Sequence, residues 1–350
     1  GSTARLSVSM AASTSQDNVL GSLYIHGMGH FHPDNIVDNA FLEELDIGTN
    51  EEWILERVGI HVRRTVLPLD YIRETKNSDP RLGQEAAEFD SRQCAAAAAD
   101  MALQRAGISR RQIGMVIAGG CYPDMAIPSE AARIAGHMGL SVPGIDINSA
   151  CSTFGAQMHF LSSMSGLPPY ILVVNPENTT PAINYADRST AVLWGDGTSA
   201  TVVSTDEPSR LRVRDTSIDA DSTRWEAVCI PRFGHFQQDG NAVQRFAIKT
   251  TLACARTLQN EAGERAEQRG GCLRFIGHQA NLAMLQGVSS RLELGAGSHW
   301  YNVDQYGNTG AAGAPCVLSQ HWDELADGDS VIMVVVGSGL TWSSLCIDVG

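Results

Sequence analysis

The chain is short of positive charge: 25 Lys and Arg against 39 Asp and Glu leave a net charge of −14. A nucleic-acid backbone needs a basic face, so non-specific nucleic-acid binding is not expected. No apolar run reaches the roughly 18 residues of a membrane-crossing helix. The eight cysteines (Cys94, Cys121, Cys151, Cys229, Cys254, Cys272, Cys316 and Cys346) include no C-x-x-C pair. A zinc site or redox dithiol therefore has little support, and buried reduced thiols in a cytoplasmic protein are the ordinary reading for most of them. Residues 1–20 are small and polar without an apolar centre, which suits a flexible tail better than a signal peptide.

What is present is a large core. Of 350 residues, 43% are hydrophobic and 34 are glycine. Short apolar runs such as IGMVIAGG (113–120), YILVVNPEN (170–178) and TSATVVS (198–204) alternate with segments of helical spacing such as SEAARIAGHMGL (129–140). That alternation marks an α/β protein. The second part repeats the first. CLRFIGHQAN (272–281) parallels IGMVIAGGCYPD, WYNVDQYGNTGAAG (300–313) parallels PGIDINSACSTFG (143–155), and SVIMVVVGSG (330–339) parallels YILVVNPEN. A duplicated βα unit gives such a pattern. It divides the chain into halves 21–207 and 208–350, meeting near Asp206-Glu207-Pro208-Ser209.

Active sites of α/β sheets gather at the carboxyl ends of strands and at helix N-termini. Three strand ends carry polar candidates: Cys151, His278 and Asn308. Asp146-Ile147-Asn148 reads as the end of a buried strand, Ser149-Ala150 as a corner, and Cys151 as the residue that opens a helix. A thiol there is either an inert packing group or a nucleophile, since a helix N-terminus favours the thiolate. His278 is either a satisfied structural imidazole or a donor to a developing oxyanion. Asn308 is either a turn residue in a glycine-rich loop or a second donor. The Gly337-Ser338-Gly339 turn is either a plain hairpin or a source of backbone N–H groups for an oxyanion. His26, His30 and His32 are expected in a loop after the first strand, and no metal site is expected from them.

Together DINSACSTF, GHQAN, YGNTGAA, WGDGTSA and the terminal GSGLTW resemble the β-ketoacyl-acyl-carrier-protein synthase III group of the thiolase superfamily, in order, from about residue 22 onward. The resemblance implies duplicated βαβαβαββ halves in a layered α-β-α-β-α arrangement, and a ketosynthase performing decarboxylative Claisen condensation in fatty-acid or specialised polyketide and lipid biosynthesis. It implies Cys151 as acyl acceptor, His278 and Asn308 as donors to the extender thioester, and the backbone N–H groups of Cys151 and Ser338 as oxyanion hole. It further implies Trp53, Arg57 and Arg188 around the adenine and phosphates of CoA, and Ile127 and Phe246 as substrate contacts. The partners it implies are acyl-CoA or acyl carrier protein and a second copy of the chain. No cofactor is implied.

Three departures from the family pattern stand out. The helix after GHQAN has Ala283 and Ser290 where relatives place basic residues, leaving only Arg291. Ile127 replaces a Phe that closes the acyl pocket across the dimer. Residues 65–86 look like an insertion able to reshape the entrance. These suggest a specialised member, such as one that joins two acyl chains into dialkylresorcinol or pyrone precursors. An acyltransferase of the same fold acting on O or N is the alternative enzyme, and a degenerate partner subunit the non-enzymatic one.

Overall fold

The computed structural model describes residues 21–350, so the tail expected over 1–20 lies outside them. Nine strands build one sheet: β1 (Leu23–Phe31), β2 (Ile113–Ala118), β3 (Gly144–Asp146), β4 (Tyr170–Glu177), β5 (Gly197–Ser204), β6 (Leu211–Ala220), β7 (Leu273–Gly277), β8 (Ser330–Gly337) and β9 (Thr341–Val349). Six helices matter below: α1 (Glu51–Arg57), α2 (Ser91–Ala106), α3 (Thr153–Ser163), α4 (Gly240–Gln268), α5 (Leu282–Arg291) and α6 (Gly313–Gln320).

The strand order is β7-β8-β9-β6-β1-β5-β4-β2-β3. In the first half β1 pairs antiparallel with β5, β5 antiparallel with β4, and β4 parallel with β2. In the second half β6, β9, β8 and β7 repeat those directions. The half-sheets join through only three residue pairs, Leu23↔Val213, Tyr24↔Arg212 and Ile25↔Leu211. Helix α2 packs outside the first half-sheet and α4 outside the second. Helix α3 leans on β6 and β9 of the other half, and α6 on β1 and β5. The result is the expected thiolase-like α-β-α-β-α layering.

Sequence explains the layers. The middle one is apolar on every side: Phe154, Met158 and Leu161 of α3 and Val317 and Leu318 of α6 are fully buried with Val173, Met333 and Leu345. Burying each large side chain contributes roughly 1.5–3 kcal/mol over exposure. On the outside, the alanine run of α2 allows close contact with β1, and only glycine fits beneath it. A Cβ at Gly29 would lie 2.0 Å from the Ala98 carbonyl oxygen. Helix α2 starts on an Asp90–Gln93 capping box and ends at Gly107 with φ +68°, the left-handed geometry glycine adopts without strain.

Two expectations are corrected. The strand before Cys151 is not buried: β3 is the sheet edge, paired only with β2, and Ile145 is half exposed. Its counterpart in the second half does not form either. Where a strand parallel to β7 was expected at 300–303, one isolated bridge, Phe275↔His299, is found. The stretch after it folds as the short helical turns Val303–Tyr306 and Gly310–Ala312 instead, with Gly307 at positive φ between them.

The histidine cluster is also displaced, since β1 runs through Phe31 and carries His26 and His30 itself. His26 Nε2 meets the Glu207 carbonyl, His30 Nδ1 meets Ser319 Oγ, and His32 stacks on Tyr306 at 3.8 Å. Among the described residues no group of three His, Cys, Asp or Glu side chains is placed to hold a metal ion, and no helix is long and apolar enough to cross a membrane.

His32 makes a pH prediction. Burial holds its pKa down at about 3. Nδ1 faces the Asp196 carbonyl at 3.2 Å and Nε2 is buried without a partner. The folded-state pKa is depressed, so the unfolded chain binds a proton that the folded one excludes below pH 6.5. Stability falls with pH from there, by about 1.4 kcal/mol per pH unit for each excluded proton. Thermal unfolding between pH 7 and 4.5 should show a shallower decline in His32→Phe, which keeps the stacking. Equal slopes would contradict this.

Candidate active site

The Cys151 corner is built by small residues. Ala150 takes φ +48°, a left-handed value uncommon for a non-glycine residue. Asn148 Oδ1 accepts from the Ala150 N–H, and Ser149 N–H donates to Thr153 Oγ1. Ser152, not Cys151, is the N-cap of α3, so the thiol sits one residue before the cap. The terminal glycine turn presses against this corner. A Cβ at Gly337 would be 3.0 Å from the backbone nitrogens of both Cys151 and Ser152. Hydroxyls of Ser149, Ser152 and Thr341 bond to one another, and Thr341 Oγ1 donates to the Ser338 carbonyl at 2.8 Å. The turn is thereby held beside the thiol.

The GHQAN segment divides its labour. His278 is buried at the end of β7, with Nδ1 unpartnered and the ring toward Cys151. Gln279 is fully buried and its Oε1 accepts from the Asn302 and Val303 N–H groups. Asn281 caps α5 and donates to the Arg57 carbonyl. Asn308 is fixed by the WGDG stretch: Gly195 N–H donates to its carbonyl and its own N–H donates to Leu193. Its Oδ1 accepts from Gly310 N–H at 3.0 Å, which leaves the Nδ2 donors for other partners. Asp196 of the same stretch accepts from Val66 and Thr180 N–H and ties these loops together.

Cys151, His278, Asn308 and Ser338 line one cavity of about 730 Å³. Trp53, Arg57 and Phe246 line it too. Arg57 and Arg188 both lie over the Trp53 ring, 4.9 and 4.8 Å from its centroid, so all three mouth residues are brought together although Arg188 does not line the cavity. Phe246 packs edge-on against Trp342. Ile127 is not brought to this cavity. It stands 84% exposed on the loop before α-helical residues 130–137 and does not line the cavity that holds Cys151.

Two residues escaped sequence reasoning. Cys121 Sγ lies 3.5 Å from Cys151 Sγ. Thirty residues separate them in the chain, so the search for C-x-x-C could not find the pair. The signal was nevertheless present, because Cys121 follows β2 and a Gly-Gly turn, the same kind of strand end that flagged Cys151. The second is Glu177, fully buried at the end of β4. Its carboxylate accepts from Cys121 N–H at 2.9 Å, Ala311 N–H at 2.7 Å and Thr179 Oγ1 at 3.0 Å. It joins the Cys121 loop to the Asn308 loop. Gly120 permits this, since a Cβ there would meet the Pro176 carbonyl oxygen at 2.5 Å. Burial, with the neighbouring Cys151, pushes Glu177 up to about 8.

The thiols differ in character. The bond from Cys121 first, then His278, pulls Cys151 well below the usual thiol range against the opposing effect of burial. Cys121 is pushed well above it, by that same bond and by burial. Burial first, with nearby carboxylates, pushes Cys94 and Cys346 up to about 12, which fits the ordinary packing reading for them.

Comparison with known proteins completes the picture. The family description 3-oxoacyl-[acyl-carrier-protein (ACP)] synthase III matches residues 145–222, and its C-terminal counterpart matches 272–349. The β-ketoacyl-[acyl-carrier-protein] synthase III of Syntrophomonas wolfei is 31% identical over 345 residues, spanning 92% of this chain and 96% of that protein. This chain belongs to the synthase III family. It is a ketosynthase, an acyl-transferring enzyme. The 3-oxoacyl-[acyl-carrier-protein] synthase III structure from Aquifex aeolicus VF5 superposes with a TM-score of 0.79 at 27% identity, covering 93% of this chain and 99% of that one. The priming β-ketosynthase of the R1128 polyketide pathway shares the fold at 24% identity and a TM-score of 0.76.

Against that synthase III frame, the insertion at 65–86 lies elsewhere than expected. It forms helices Leu69–Thr75 and Pro80–Ala86. Pro80, Arg81 and Gln84 border a second cavity, of about 380 Å³, rather than the mouth of the first. The segment packs its apolar residues Leu67, Leu69 and Ile72 into the cluster that holds Cys151.

Proposed function

We propose that this synthase III catalyses decarboxylative Claisen condensation with Cys151 as nucleophile. The observation that carries the reading is the convergence of a lowered-pKa thiol, an imidazole and a carboxamide with its oxygen tied back, all on one cavity. The Cys151 thiolate attacks an acyl thioester. The oxyanion that forms is held by the backbone N–H groups of Cys151 and Ser338, and the donor thiolate leaves. A malonyl-type thioester then binds with its carbonyl facing His278 Nε2–H and Asn308 Nδ2–H. Its carboxylate leaves as carbon dioxide and the electron pair moves onto the enolate oxygen, where the two donors stabilise it. The enolate carbon attacks acyl-Cys151, the thiolate departs, and a β-ketoacyl thioester is released. No step of this chemistry calls on a metal or redox cofactor.

The substrates we assign are CoA or acyl-carrier thioesters, entering past Trp53, Arg57 and Arg188. The second cavity, bordered by Cys121, Met125 and Phe233, supports an acyl chain longer than acetyl, in fatty-acid or specialised polyketide synthesis. Phe233 and Ile127 are 74% and 84% exposed, and the outer side of β3 is unpaired. These features support a homodimer in which the sheet continues across the interface. Incubating the protein with an acyl-CoA and a malonyl thioester should yield β-ketoacyl product and carbon dioxide in equal amounts. Acyl transfer to an alcohol or amine without carbon dioxide would favour the acyltransferase alternative and overturn this reading.

A further inference from the structure

Beyond condensation, we propose that Cys121 and Cys151 form a vicinal dithiol site that a hydroperoxide oxidises reversibly to a disulfide. Three observations carry it. The sulfurs are in contact at 3.5 Å, so closing to a bond of about 2.05 Å needs a shift of about 1.5 Å. The pair straddles two cavities, with Cys151 lining the larger and Cys121 the smaller, so a small reagent reaches it from either side. The two thiols are also unequal. The His278 ring beside Cys151 favours its thiolate, and burial disfavours that of Cys121, the division of roles between an attacking and a resolving cysteine.

The chemistry balances. Cys151 thiolate attacks the peroxide O–O bond and becomes a sulfenic acid, while the other oxygen leaves as alkoxide or hydroxide. That leaving group takes the proton of Cys121. The Cys121 thiolate then attacks the Cys151 sulfur, an S–S bond forms, and the sulfenic oxygen departs as hydroxide, which takes up the proton released when Cys151 ionised and becomes water. Two thiols and one hydroperoxide give one disulfide, one alcohol or water, and one further water. The disulfide removes the nucleophile from acylation and keeps it from the irreversible sulfinic state. The loss of acylation rests on the reading of Cys151 as nucleophile; the bond itself rests only on the placement of the two sulfurs.

The test uses the full chain with hydrogen peroxide, quenching of free thiols with iodoacetamide, and peptide mapping. The wild type should lose two hydrogens, yield a Cys121–Cys151 cross-linked peptide, and recover activity in dithiothreitol. Cys121→Ser should give no cross-link, carry Cys151 on to sulfinic and sulfonic acids, and fail to recover. Phenylarsine oxide, which bridges paired thiols, should add one phenylarsenic group across the two cysteines of the wild type. That measurement needs no variant, and Cys121→Ala stands in if the serine form does not fold. Over-oxidation of Cys151 in the wild type as fast as in Cys121→Ser, with no cross-link, overturns the proposal. A cross-link in a protein that never acylates Cys151 would overturn the condensation reading and leave this one standing. Acylation without a cross-link would do the reverse.

Discussion

Cys151→Ala is expected to abolish condensation, by on the order of 10³-fold or more, as removal of a covalent nucleophile does elsewhere. It should nevertheless keep releasing carbon dioxide from a malonyl thioester. The two effects separate because the thiolate takes part only in acyl loading and product formation, whereas decarboxylation needs donors at the enolate oxygen. Those donors stand on other elements. His278 ends β7, and Asn308 is pinned by the 193–195 backbone. Neither is held in place by the sulfur. Cys151→Ser should load acyl groups poorly, since a hydroxyl has no comparable access to its anion even with Cys121 donating to it. Product analysis by chromatography and trapped carbon dioxide read the two activities separately. Equal loss of both in Cys151→Ala would show that the corner's fold, rather than its thiol, had been damaged.

His278→Ala and Asn308→Ala form the second large effect, and they should differ from each other. Removing one preorganised oxyanion donor costs about 10²–10³ in kcat, so both variants should lose decarboxylation to that extent. Asn308→Ala should still accept an acyl group on Cys151 at close to the wild-type rate, because Asn308 makes no bond to the thiol. His278→Ala should load more slowly as well, since His278 is one of the groups that lower the Cys151 pKa. The double variant should fall short of the product of the single losses, because both donors serve one oxygen. Single-turnover acylation beside carbon dioxide release distinguishes the two. Identical profiles for the two variants would contradict separate roles.

Much of this arrangement was legible in sequence because buried strands of a layered α/β fold leave long apolar runs. YILVVNPE and SVIMVVVG could hardly be anything else, and their repetition foretold two similar halves. His278 was legible for the same reason, being polar and following such a run; Asn308 stood out by its glycine-rich motif, since a helical turn, Val303–Tyr306, and not a strand precedes it. What was missed depended on packing between segments far apart in the chain. The three-residue strand β3 is too short for burial to mark it, so its place on the exposed edge came only with the pairing pattern. The second half lacks the matching strand, its chain making one bridge at His299 and then entering the helical turn Val303–Tyr306. Cys121 was set aside by a local spacing rule, although the fold closes a 30-residue separation to a sulfur contact. Glu177 was hidden inside a strand, where a lone carboxylate carries no signal until the N–H groups of Cys121 and Ala311 converge on it.

The most direct test is the intact mass of the full chain after incubation with a panel of acyl-CoA and acyl-carrier thioesters, followed by peptide mapping. One acyl group per chain, carried on the Cys151 peptide and absent from Cys151→Ala, is the predicted result. An adduct on any other residue, Cys121 included, or no adduct with any donor, would contradict Cys151 as the acyl-bearing nucleophile.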